Sequence, residues 1–259
     1  MNKFRLKSLA FCAILLIGSF NACQFASLAQ DLPIGVQGKP PTQPGGPRFS
    51  QPPEDIDVSR RAPRNNVRGG CASNPQQTLT GLVPQNKVGR TVSDYPTFFF
   101  YLPPTEAESA EFSLVDKSGK EIYKQTLTIS NLSGVIGISI PANKNVAPLE
   151  VGKSYNWNFT VICNSQDRSS DMIEIGTVRR VELSADIRSE LSKADSRQKT
   201  AIYAENGIWQ DALSNLVATR RAQPSDTVLY ADWANFLDAV NLLKIAKEPI
   251  VQVQTEPKP

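Results

Sequence analysis

The sequence predicts an α+β protein: an immunoglobulin-like antiparallel β-sandwich followed by a small tetratricopeptide-like helical module. Three observations carry that expectation. Between 79 and 183, short apolar or alternating runs are separated by Gly, Pro, Asn and Asp, the punctuation of strands. From Ser184 the apolar spacing becomes helical. Cys71 and Cys163 fall where a staple would join the front of the folded region to one of its strands. The expected organisation is a signal peptide at 1–29, a Pro-rich disordered linker at 30–67, the sandwich at 68–183, the helical module at 184–248 and a frayed tail at 249–259.

In the first segment Lys3, Arg5 and Lys7 precede LAFCAILLIGSF, and Ser27-Leu28-Ala29 offers small residues for cleavage before Gln30. Twelve apolar residues rise about 18 Å as a helix, short of the roughly 30 Å hydrocarbon core, so an export signal is favoured over a permanent anchor. No later stretch is long enough to span. The expected destination is the periplasm or the exterior. The alternative is a membrane-anchored lipoprotein tethered through Cys23, for which Phe20 and Asn21 are poor neighbours.

The signal holds the whole charge excess: without its three basic residues, 25 Lys plus Arg face 25 Asp plus Glu. A neutral mature chain argues against nucleic acid as a partner. Histidine is absent throughout. That excludes Ser-His-Asp hydrolysis, Cys-His proteolysis and His-based metal sites, and it leaves carboxylate, Lys or Tyr chemistry, or none. No cofactor motif is present.

After cleavage Cys71 and Cys163 are the remaining thiols, and in an oxidising compartment such a pair normally closes. In YNWNFTVIC, Tyr155, Trp157, Phe159, Val161 and Cys163 recur at period two, which directs the thiol toward a core. A buried thiol without an activating base is inert.

Residues 31–75 hold nine of the 19 prolines, and the linker's end, RRAPRNNVRGG, carries Arg60, Arg61, Arg64 and Arg68, which could touch an anionic envelope surface but more simply keep the linker solvated. Seven strands follow: TLTGLV, TFFFYL, AEFSLVD, EIYKQTLTI, GVIGISI, YNWNFTVIC and IGTVRRVEL, with a Lys117-Ser118-Gly119 turn joining the third and fourth. Seven strands in about 105 residues suit an immunoglobulin-like shape.

Helical periodicity begins with a Ser184 cap and Ile187 and Leu191 on one face. Tyr203, Gly207, Trp209, Ala212, Leu216 and Pro224 have the spacing of a tetratricopeptide unit's second half. Gly207 suits the tight turn between antiparallel helices, and Ala212 lets them approach. A further helix at 225–243, capped by Ser225 or Asp226, presents Val228, Leu229, Trp233, Phe236, Leu237 and Val240.

RGGC at 68–71, LTGLVP at 79–84, FFFYLP ending at Pro103, PLEVGKSYNWNFTVIC at 148–163 and YAENGIWQDAL at 203–213 together resemble the exported, mainly cyanobacterial family known as domain of unknown function 928. The resemblance covers roughly 68–243 and implies export and architecture, with no activity or catalytic residue to carry over. The family motif places an aromatic after GIW where this chain has Gln210, a departure expected on the helix surface.

Three functions compete. The first is a non-enzymatic envelope module that binds or scaffolds a protein or peptide partner, with Tyr203, Trp209 and Trp233 as candidate contacts, set against the plainer reading that these rings glue the helices together. The second is a carboxylate-dependent carbohydrate-active enzyme drawing on Asp94, Glu174, Glu205 or Asp211, although no spacing singles out a pair. The third is a calcium loop at NSQDRSSD with Asn164, Asp167 and Asp171, which lacks the glycine such loops use and reads better as a strand connection.

Overall fold

A computed structural model describes residues 47–51, 70–143 and 145–252. The expected signal peptide, Cys23, most of the linker and the last seven residues lie outside the described residues.

Among the described residues eight strands form two sheets: β1 (Thr80–Gly81), β2 (Val88–Thr91), β3 (Thr97–Leu102), β4 (Ser109–Asp116), β5 (Glu121–Thr128), β6 (Gly134–Ser139), β7 (Ser154–Ile162) and β8 (Met172–Arg180). One sheet runs β1-β3-β6 and the other β2-β8-β7-β4-β5. The expectation of a purely antiparallel sandwich is corrected at one edge, where β2 pairs parallel to β8 from Val88↔Thr177 to Thr91↔Arg180. The sequence reading missed β2 because VGRT is short and carries a single large apolar residue.

The two sheets close over one core. Alternation in β4 and β7 turns Ala110, Phe112, Leu114, Tyr155, Trp157, Phe159 and Val161 inward, and Phe112↔Phe159 and Leu114↔Trp157 are direct cross-strand partners. From the facing sheet come Phe98, Phe100, Leu102, Ile136 and Ile138. Phe100 stacks on Phe159 with centroids 4.4 Å apart. Trp157 fits because its partner across the ladder is Gly176, where a Cβ would stand 2.2 Å from the indole.

β3 is apolar at almost every position because both of its faces are covered. Phe98, Phe100 and Leu102 enter the sandwich core, while Phe99 and Tyr101 point the other way into a second core with the helices. The helices therefore form a third layer on the outer face of the three-stranded sheet, joined through Leu82, Phe99, Tyr101 and Val135 to Trp209, Leu213, Phe236 and Leu237.

Among the described residues four helices make that layer: α1 (Ala185–Lys193), α2 (Ser196–Glu205), α3 (Trp209–Ala222) and α4 (Thr227–Asp238). Ser184 caps α1 and Asp226 caps α4, as expected. A capping box between Asp195 and Gln198 starts α2 afresh, a signal the sequence reading passed over. α2 and α3 run antiparallel: Asn215 donates to Thr200 Oγ1 at 2.6 Å and to the Ser196 carbonyl. Gly207 makes the reversal at φ +68°, with its N–H on the Ala204 carbonyl. α4 ends at Asp238, short of 243, and a 3₁₀ turn at Leu243–Lys247 follows.

Two expectations of looseness are corrected. At the tail, Pro249 accepts from Val135 N at 2.7 Å, Val251 N donates to the Val135 carbonyl at 2.8 Å, and Ile250 enters the second core, so 249–251 adds to the edge of β6. Gly134 permits this approach, since a Cβ there would meet the Pro249 carbonyl at 2.4 Å. Within the linker, Pro47–Gln51 lies on the helical layer, with Pro47 buried and Phe49 half-buried.

Cys71 and Cys163 are bonded at the rim of the sandwich core. Around them, Thr105 Oγ1 donates to the Cys71 carbonyl at 2.8 Å, and Ser73 N donates to the Pro104 carbonyl at 2.8 Å.

Candidate functional site

Trp209 and Trp233 are both wholly buried, so neither indole is open to a partner as the chain stands. Trp209 stacks on Phe236 at 4.5 Å and donates its indole N–H to the Leu82 carbonyl at 2.8 Å, pinning the helical layer to the sheet. Trp233 lies under the Arg220 guanidinium, 5.2 Å from the ring. The plainer reading, that these rings hold helices together, describes both. Tyr203 alone of the three is only half-buried.

Trp209 owes part of its cover to the chain's own linker. The Phe49 ring stands edge-on to Trp209 at 4.8 Å and 6.4 Å from Phe236, and Ser50 N donates to the Ala204 carbonyl at 3.0 Å, at the C-terminal end of α2. That carbonyl is shared with the Gly207 N–H at 3.1 Å. This seat thus receives one aromatic side chain and one backbone donor from an extended segment. The sequence carried a signal for it: Phe49 is the sole aromatic between 31 and 75.

A second feature lies at the seam of sheet and helices, a cleft of about 260 Å³ lined by residues of 91–97 and of α2 and α3. Asp211 lines it, accepting from Thr91 Oγ1 at 2.8 Å and from Val92 N at 3.1 Å. Burial raises the Asp211 carboxyl above the ordinary carboxylate range, against the lowering effect of those two donors. Burial likewise raises the Tyr203 phenol, with Asp211 adding to the effect.

Gln210 lines the same cleft and corrects the expectation that it sits on the helix surface: it is 1 % exposed. Its side chain lies across Gly89 of β2, where a Cβ would meet Gln210 Cδ at 3.3 Å. Neither its amide oxygen nor its amide nitrogen has a hydrogen-bond partner.

The other candidate carboxylates serve separate neighbours. Glu174 is buried and accepts from Lys87 Nζ at 2.9 Å. Asp94 pairs with Arg180. Glu205 is exposed at the end of α2. The proposed calcium loop folds on itself instead: Asn164 accepts from Gln166 N, Asp167 from Ser169 N, and Asp171 from Cys163 N while pairing with Arg168. Among the described residues no group of three or more Cys, Asp or Glu is placed to hold a metal ion.

These features define a stapled two-sheet sandwich that carries a helical layer on one outer face. The chain belongs to the family described as Domain of Unknown Function (DUF928), whose pattern matches residues 61–250. No curated protein matches. Among solved structures, the chain is similar to the fn3 domain of the human collagen alpha-1(XX) chain at 14 % identity, covering 45 % of this chain and 91 % of that one with a TM-score of 0.27. It is also similar to Astrotactin-2, a perforin-like vertebrate membrane protein, at 12 % identity over 60 % of this chain and 33 % of that one, TM-score 0.23. Likenesses this slight leave the architecture to rest on the sheets themselves. Among the described residues no helix is long and apolar enough to cross a membrane.

Proposed function

We propose that this is an exported, non-enzymatic binding module of the cell envelope, whose tetratricopeptide-like helices receive an extended segment of another envelope protein bearing an exposed aromatic side chain. One observation carries the reading: the chain's own Pro47–Gln51 already occupies such a seat, with Phe49 on Trp209 and Phe236 and the Ser50 amide on the Ala204 carbonyl. Recognition of an extended segment by one side-chain pocket and backbone donors is a recurrent mode. Export is supported by the disulfide, since such bonds persist in oxidising compartments. The non-enzymatic reading is supported by the missing histidine and by the structural employment of Asp94, Glu174 and Asp211.

The internal segment acts as a resident competitor. A partner reaches the seat by displacing it, against a tethered effective concentration in the millimolar range. The test is binding of a labelled peptide spanning 44–52, PGGPRFSQP, to the mature chain and to its Phe49→Ala variant. The variant binds the peptide about tenfold or more tightly than the wild type does, because its own competitor is disabled. Equal binding by both, or binding by neither at millimolar peptide, overturns the reading.

A further inference from the structure

We infer that the Phe49 seat selects its partner by a short pattern: a proline, one residue that is not acidic, an aromatic, and then a residue other than proline, all on extended backbone. The inference rests on the peptide-binding reading above and gives that reading a specificity. Its first support is the burial of the resident segment. Pro47 is buried, Arg48 exposed, Phe49 half-buried, and Ser50 and Gln51 exposed. An extended backbone produces that alternation, because successive side chains leave it on opposite sides. Pro47 and Phe49 therefore turn inward together, two residues apart, and Arg48 turns out to solvent. One residue more between the two rings would put one of them in water. Proline also fixes φ near −65° before binding, so the segment gives up less freedom on seating than it would with alanine there.

What each position meets fixes the rest of the pattern. Phe49 stands edge-on to Trp209 at 83° with centroids 4.8 Å apart, and Phe236 lies at 72° and 6.4 Å. Contacts of this kind set the positive rim of one ring against the negative face of another, which a branched aliphatic chain of similar size lacks. The next residue must keep its N–H, since Ser50 N donates to the Ala204 carbonyl at 3.0 Å and proline has no such donor. That carbonyl lies in the last turn of α2, where the helix carries partial negative charge and the exposed Glu205 is the final residue. The resident segment complements this end: it has a base, Arg48, two residues before the Ser50 contact, and no acid from 47 to 51.

The test is fluorescence polarisation with the mature chain's Phe49→Ala variant, whose seat is open, and labelled peptides that change one feature of PGGPRFSQP at a time. The changes lie in the peptide, so folding of the receptor is the same in every arm. Pro47→Ala, and separately a glycine inserted between Arg48 and Phe49, each weaken binding about tenfold or more. Phe49→Leu weakens it about two- to tenfold, the part of an aromatic pair that exceeds its area. Arg48→Glu weakens it about two- to fivefold at low salt and less at about 1 M salt, as a charge at a helix end requires. Ser50→Pro removes measurable binding. The inference is overturned if PGGPRFSQP binds while the Pro47→Ala and glycine-inserted peptides bind within about twofold of it, or if the leucine peptide binds as tightly as the parent. The seat then takes any extended apolar segment, and the peptide-binding reading stands without the pattern. Failure of PGGPRFSQP itself to bind removes both, which keeps the two outcomes apart.

Discussion

Replacing both Cys71 and Cys163 by alanine removes a link between residues 92 apart in sequence. In the chain-entropy description, closing a loop of that length costs the unfolded chain about 4.6 kcal/mol at 25 °C, so the double variant is less stable by about that amount. Little else holds the leading edge: the Ser73–Pro104 backbone bond and the Thr105–Cys71 bond are local, and Cys71 and Ala72 are only partly buried. The described body from 70 to 252 has an unfolding entropy near 0.38 kcal/mol/K, so the loss lowers the melting temperature by about 12 °C. Urea unfolding should give a lower midpoint together with a steeper m-value, because the unlinked chain exposes more surface when it unfolds. A loss below about 1 kcal/mol, or labelling of both thiols in native unreduced protein, would refute the staple.

Other perturbations follow from particular contacts. Gly176→Ala sets a methyl group against the Trp157 indole and the Lys87 carbonyl, and should destabilise by about 3 kcal/mol or more, seen as a collapsed melting transition; near-wild-type stability would mean Trp157 is free to move. Asp232→Ala breaks the two-bond pair in which Arg197 Nε and Nη2 donate at 2.5 and 3.0 Å, and should cost about 1.5–3 kcal/mol in urea, because the half-exposed Arg197 rehydrates in part. The raised Asp211 carboxyl adds stability that is complete below the ordinary Asp value and is lost as pH rises through its raised folded value. The wild type therefore loses stability relative to Asp211→Asn across that window, and a flat difference in denaturation between acid and neutral pH would contradict it.

Most strands, the Ser184 and Asp226 caps and the Gly207 turn were legible because each depends on neighbours in sequence. Period two in YNWNFTVIC and period 3.6 after Ser184 report which face is buried, whatever buries it. The run TFFFYL marked a strand, and only the fold shows that both of its faces are covered, the second by the helical layer. β2 escaped because four residues with one large apolar side chain hold no period, and its parallel pairing depends on β8, nearly 90 residues away. The site was less legible. Trp209 and Trp233 read equally well as core or contact, since the same spacing serves both, and burial had to decide. Gln210 was misplaced to the surface because a polar residue on a helix defaults to solvent; its burial follows from Gly89, which opens room on an unrelated strand. Phe49 was absorbed into a proline-rich stretch whose composition outweighed its one aromatic ring.

The most direct test of the account is amide hydrogen exchange at Ser50 in the wild-type chain, followed while PGGPRFSQP is added to saturation. The Ser50 amide, bonded to the Ala204 carbonyl, starts protected, and it becomes as fast as an exposed amide once the added peptide takes its seat, with Trp209 emission returning to its starting value. Protection that persists at saturating peptide, or a Ser50 amide that exchanges freely from the start, would contradict a helical layer holding its own linker in place of a partner.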